Sequence, residues 1–242
     1  MENIWYVSGA IGLAAFVQSV AGFGFGLVAI AFLPLFLPLS LAIPLVLLMS
    51  FLSNLVMWIY HRASFELSYV VRLMVSALLM IPIGLVGLQY LPEQTTRKVL
   101  GEVVVLYVAY DITRLVFPAL QMPLLSSPRW AYLFGGTAGL LTGAFTTPGP
   151  PLVLYANSKG WSPEEFKGNL PAVYVVAIAF TLCGHFAEGH LTPELARIAF
   201  YCLPMFSVGV CVGILLSQKI DVVVFKRIVL VLLGVIGLKL IW

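Results

Sequence analysis

The feature that most constrains this chain is where its charges are missing. Residues 3–61 contain no Lys, Arg, Asp or Glu, and neither do 73–92, 130–158, 168–187 and 198–218. About 20 consecutive apolar residues are enough to cross the hydrocarbon core of a bilayer, so each of these windows is long enough to do so. Of 242 residues, 61% are hydrophobic and 10% charged. Soluble domains are about a quarter charged, so that class is excluded. In lipid every backbone N–H and C=O needs a partner, and the segments are continuously apolar instead of alternating. Helices are therefore predicted and a β-barrel is not. The fold class is an all-α polytopic membrane protein.

Charges and Pro/Gly clusters divide the chain into about eight apolar segments: 4–36, 41–60, 68–91, 98–117, 130–157, 168–187, 195–217 and 222–242. Trp5, Trp58, Trp130, Trp161 and Trp242 lie near segment ends, where an interfacial aromatic belt would place them. Met1-Glu2-Asn3 lacks the cationic start of a secretory signal, so the first apolar stretch is expected to stay in the mature chain. The net charge of +3 is scattered, with no basic block for nucleic acid. Cys183, Cys202 and Cys211 form no CxxC pair and read as small buried hydrophobes.

Segments one and five are interrupted, by Ala21-Gly22-Phe23-Gly24-Phe25-Gly26 and by Gly143-Ala144-Phe145-Thr146-Thr147-Pro148-Gly149-Pro150-Pro151. Proline removes a helix N–H and glycine costs about 1 kcal/mol against alanine, so both runs are predicted breaks. Setting Ala21-Gly22 on Ala138-Gly139 also puts Pro34 on Pro151. This suggests two similar halves, residues 1–117 and 130–242, joined by a Pro/Ser-rich linker, 118–129. If all eight segments cross, Lys and Arg divide 6 against 7 between the faces. If segments one and five are re-entrant hairpins, the halves are inverted and the division becomes 9 against 4. The larger group (Arg62, Arg72, Arg114, Arg129, Lys159, Lys167, Lys219, Lys226 and Arg227) then faces the cytoplasm. The inverted arrangement is the preferred one.

Paired broken helices at matching points of two repeats are the sequence mark of a transporter site. A helix restarting inside the membrane exposes N–H groups carrying about half a positive charge, which suits an anion. The candidate substrate-binding residues are Gly22, Phe23, Gly24, Phe25 and Gly26 in the first break, with Thr146, Thr147, Pro148, Gly149 and Pro150 in the second. Asn169, in Gly168-Asn169-Leu170, completes the set. Simple close helix packing is the alternative reading of these glycines.

These same runs, Ala21-Gly-Phe-Gly-Phe-Gly26 through Pro34 and Gly139-Leu-Leu-Thr-Gly143 through Thr147-Pro-Gly-Pro-Pro151 to Trp161-Ser-Pro-Glu164, resemble the two repeats of the TauE/SafE sulfite exporter family. The resemblance covers essentially the whole chain. It implies a secondary transporter, generally an exporter, of small sulfur-containing anions such as sulfite or organosulfonates, resident in the cell membrane of a bacterium. Where family members usually carry a glycine run in the second break, this chain has Thr146-Thr147-Pro148-Gly149-Pro150.

Asp111 lies deep in the fourth segment with Arg114 one turn on, and the two read as an ion pair or as a proton-coupling site. Lys167 reads as an interfacial lysine, with attraction of an anion toward the second break as the alternative. Ser50, Ser53 and Asn54 fit either a pathway lining or helix–helix hydrogen bonds. His185, Glu188 and His190 read as a solvated loop, with no metal expected. The expected partners are a small anion, the lipid bilayer and coupled protons; no cofactor is expected and nucleic acid is excluded. No serine elbow, HExxH or acid–base cluster inside the spans supports an enzyme. An anion channel or a subunit of a membrane complex is the alternative.

Overall fold

The computed structural model describes residues 4–89, 92–116, 129–217, 219 and 222–241. Among the described residues there are ten α-helices and no strands. They are α1 (Ile4–Ala21), α2 (Phe25–Phe32), α3 (Leu39–Tyr60), α4 (Leu67–Gln89), α5 (Glu93–Val116), α6 (Trp130–Phe145), α7 (Gly149–Ser158), α8 (Pro163–Ala187), α9 (Pro193–Leu216) and α10 (Val222–Ile241). Five of them, α1, α3, α4, α8 and α9, are long and apolar enough to cross a membrane. The all-α polytopic class is as the sequence indicated. Residues 117–128, which include most of the proposed linker, lie outside the described residues, as do the side chains of Asp111 and Arg114.

The two interrupted segments are each two helices. In the first, α1 stops at Gly22 (φ 81°) and Gly24 (φ 105°), left-handed conformations that a Cβ would strain. The chain then doubles back through α2 and a 3₁₀ turn at Leu33–Leu35. Phe36 returns to stack on Tyr6 at the start of α1, with ring centroids 5.4 Å apart and planes 11° from parallel. In the second, α6 stops at Thr146 (φ 59°). There α7 folds back until Tyr155 packs on Phe134, centroids 5.9 Å apart. Each interrupted segment is thus a helical hairpin.

The register between the halves differs from the one read in the sequence. Helices α2 and α7 begin at Phe25 and Gly149, and α3 and α8 at Leu39 and Pro163, a constant spacing of 124 residues. Gly22 therefore corresponds to Thr146, both left-handed, and not to Gly139. The sequence match was misled because Gly139 serves a different purpose. A Cβ there would collide with the backbone of Ala77, and one on Gly143 with the carbonyl of Ile81. Those glycines let α6 press against α4, the small-residue packing that holds membrane helices together.

Helix directions follow from which glycines meet which neighbours. Gly135 faces Leu73, Gly139 faces Ala77 and Gly143 faces Ile81, so α6 runs parallel to α4. Gly12 meets Met205 and Gly213 meets Ser19, so α1 runs parallel to α9. Gly101 meets Leu240 while Gly234 meets Val108, so α5 and α10 are antiparallel. The turn after α3 abuts the start of α8, where Asn169 Oδ1 accepts from the Glu66 N–H at 2.8 Å. Gly84 in α4 likewise has backbone of α6 against it. The core lies where α1, α2, α3, α7 and α8 converge, and Phe25, Leu45, Leu47, Met49 and Leu152 are fully buried there.

Candidate functional site

The tips of the two hairpins touch. A Cβ on Gly26, in the first turn of α2, would clash with the carbonyl oxygen of Thr146. Beside this contact is a small cleft lined by Gln18, Gly24, Phe25, Gly26, Leu27, Ser50, Asn54, Thr147, Pro148, Gly149 and Tyr174. No charged side chain is among these. Tyr174 lies about 16 Å along α8 from its start.

A fixed polar relay forms one wall. Gln18, 1% exposed on α1, accepts from the Phe25 N–H through Oε1 at 3.0 Å and so caps the first turn of α2. Its Nε2 donates to Asn54 Oδ1 at 2.8 Å. Asn54 Nδ2 in turn donates to the Ser50 carbonyl at 2.8 Å and to Ser50 Oγ at 3.2 Å. The relay satisfies the Phe25 N–H, while α2's next two donors stay open. Among the described residues, neither the Gly26 N–H nor the Leu27 N–H has an acceptor.

The opposite wall works differently. Pro148 and Pro150 have no N–H to give. The Thr146 N–H is held by Thr142 O at 3.0 Å and the Thr147 N–H by Leu141 O at 3.4 Å. Of the five residues 146–150, Gly149 is left with an open amide. Hydroxyls take over the donor role. Thr146 Oγ1, Thr147 Oγ1 and Tyr174 Oη are buried without a hydrogen-bond partner, and Thr147 and Tyr174 line the cleft at 1% and 3% exposed. A buried hydroxyl left unpaired costs about 1–3 kcal/mol, so the two that line the cleft, on Thr147 and Tyr174, make it a candidate binding place.

The structure brings Gly24, Phe25, Gly26, Thr147, Pro148 and Gly149 to one cleft. Gly22 does not line it; Lys167 Cγ is 3.2 Å from the position a Cβ on Gly22 would take. Lys167 thus stands over the first break, not the second. Phe23 turns to an adjoining apolar pocket with Val17, Tyr107 and Phe225, and its ring meets Phe166 edge-on at 5.9 Å. Asn169 is not at the cleft; its Oδ1 holds the α3–α4 turn. Pro150 follows Gly149 on the first turn of α7.

Three lining residues escaped the sequence reading: Leu27, which directly follows the predicted run, Gln18 and Tyr174. Gln18 was detectable as a lone amide four residues before a glycine break in an otherwise apolar run. Tyr174 gave no such signal until the 124-residue register placed it opposite Ser50.

Outside the cleft, His61 closes α3, with its Nδ1 3.0 Å from Met57 O. Burial pushes its pKa below the ordinary 6.5, the hydrogen bond to Met57 pulls it back up, and the nearby positive charge of Lys167 lowers it further.

Compared with known proteins, residues 7–240 match the model of the family described as Sulfite exporter TauE/SafE. No curated protein and no solved structure matches. That family match spans nearly the whole chain, both hairpins and all ten helices, and the protein belongs to the TauE/SafE sulfite exporter family, a family of membrane transporters.

Proposed function

We propose that this protein is a secondary transporter, working as an exporter, of small sulfur-containing oxyanions such as sulfite or organosulfonates. In this reading the anion sits between the hairpin tips. Its oxygens accept from the Gly26, Leu27 and Gly149 N–H groups and from the Thr147 and Tyr174 hydroxyls. The observation that carries the proposal is a cleft between the two hairpin tips that offers open donors and no carboxylate. Helix N-termini supply the positive potential without a fixed cation, which keeps binding weak enough for release.

The antiparallel pairing of α5 with α10 supports two inverted halves, each with a hairpin and three crossings. Under that topology the face carrying His61 and Lys167 is cytoplasmic, in a bacterial inner membrane, and Lys167 draws anions toward the first break. Alternating access would then come from one hairpin rocking against the other around the shared site. Asp111 is proposed as the proton-coupling carboxylate, with Arg114 setting its charge.

The test is flux in proteoliposomes, with sulfite, thiosulfate, an alkanesulfonate and a simple carboxylate offered in turn. A carrier for sulfur oxyanions gives saturable, trans-stimulated flux of the first three. Large currents that do not saturate would mark a channel and overturn the reading.

A further inference from the structure

We propose that the C-terminal end of α8 is a divalent-cation site formed by His185, Glu188 and His190, suited to a borderline metal such as Zn²⁺. The backbone assembles it. The Glu188 N–H bonds back to Gly184 O at 3.1 Å, the Gly189 N–H to Phe186 O at 3.0 Å, and the His190 N–H to His185 O at 3.0 Å, with Gly189 left-handed at φ 73°. This is the Schellman ending of a helix, which brings the second residue past the cap back over the third residue before it. That contact is ordinarily hydrophobic. Here it is a pair of imidazoles, with centroids 5.1 Å apart and Nδ1 atoms 3.0 Å apart.

Glu188, the cap residue, adds a carboxylate oxygen 3.3 Å from His190 Nδ1. One ligand atom from each of the three residues lies within 4.8 Å of the others. Tetrahedral zinc with bonds of about 2.0–2.1 Å needs ligand atoms about 3.3 Å apart, so both close pairs approach the required edge. Two imidazoles and one carboxylate with a water in the fourth position suit zinc better than magnesium or calcium, which prefer all-oxygen shells. The negative end of a 25-residue helix further favours a cation there. His185 is buried, while Glu188 and His190 are exposed, so an ion can enter from solvent. A bound ion would staple the α8–α9 turn at the end of α8 opposite Lys167. The proposal is independent of what the cleft carries.

The test uses the full chain in detergent, with any affinity tag removed, titrated with Co²⁺ alone and then displaced by Zn²⁺. The expected result is a visible tetrahedral Co²⁺ spectrum saturating at one equivalent. His190→Ala and Glu188→Gln, both at exposed positions, should each weaken Co²⁺ binding by more than about tenfold. Absence of a saturable spectrum would overturn the proposal. So would binding left unchanged in both variants.

Discussion

Gln18 on α1 and Asn54 on α3 are joined by a 2.8 Å hydrogen bond from Nε2 to Oδ1, and the same glutamine caps the re-entering helix through the Phe25 N–H. One buried side chain therefore ties the tip of a hairpin to a membrane-spanning helix. Replacing it with an isosteric hydrocarbon leaves the Phe25 N–H and Asn54 Oδ1 unpaired, at a cost of about 1–3 kcal/mol each. Gln18→Leu should lower detergent-solution thermal stability and reduce sulfite flux by more than about tenfold. Gln18→Glu keeps the acceptor for Phe25 but loses the donor to Asn54, and should fall between wild type and Leu in a melting assay.

Gly26 and Gly149 face the same cleft but differ in the room behind them. A Cβ on Gly26 meets the Thr146 carbonyl, whereas one on Gly149 meets nothing nearer than 3.9 Å. Gly26→Ala should thus force the hairpin tips apart and abolish flux, while Gly149→Ala should retain it. Gly149→Leu, which fills the cleft, should lose transport while still inserting. Side-by-side flux and membrane-fraction measurements on the three variants check the order.

Tyr174→Phe separates binding from folding. Its hydroxyl is buried and unpartnered, so removing it relieves a desolvation cost without breaking any hydrogen bond. The variant should melt at or slightly above the wild-type temperature, yet show a raised KM for anion flux. Thr147→Val, at an equally orphaned hydroxyl, should behave the same way. A purely structural role for either residue predicts the reverse, lower stability with an unchanged KM.

His61 gives a pH signature. Its folded pKa lies below the ordinary 6.5 through burial and the charge of Lys167, so the unfolded chain binds a proton more readily. The stability this confers is fully present above pH 6.5 and is lost as pH falls through the folded pKa. Melting temperatures recorded from neutral to mildly acidic pH should drop in the wild type. In His61→Gln that drop should be smaller.

Much of the architecture could be read from the charge-free windows, because the bilayer penalises unpaired backbone so heavily that long apolar runs leave few options besides helix. The breaks were also legible, since Gly22, Gly24 and Pro148 are residues that a helix interior rejects. Register was not. Gly139 and Gly143 resemble break glycines in sequence but lie within α6, where their lack of a side chain lets α4 approach. Only the opposing helix distinguishes the two uses. The donor set was half legible: runs of proline suggested a helix start, yet Pro148 and Pro150 remove the very N–H groups a helix start would offer. The chain compensates with hydroxyls, and one of these, on Tyr174, lies in another helix altogether. Asn169 had the chemistry of a ligand residue, but the turn between α3 and α4 uses its oxygen.

The most direct measurement is equilibrium binding of radiolabelled sulfite to the purified protein, wild type against the Thr147→Val/Tyr174→Phe pair. The account predicts saturable binding to the wild type, weakened by more than about tenfold in the double variant while its melting temperature holds, since two charge-assisted hydrogen bonds of about 1.5–3 kcal/mol each are lost. Sulfite binding of undiminished affinity in the double variant would contradict it.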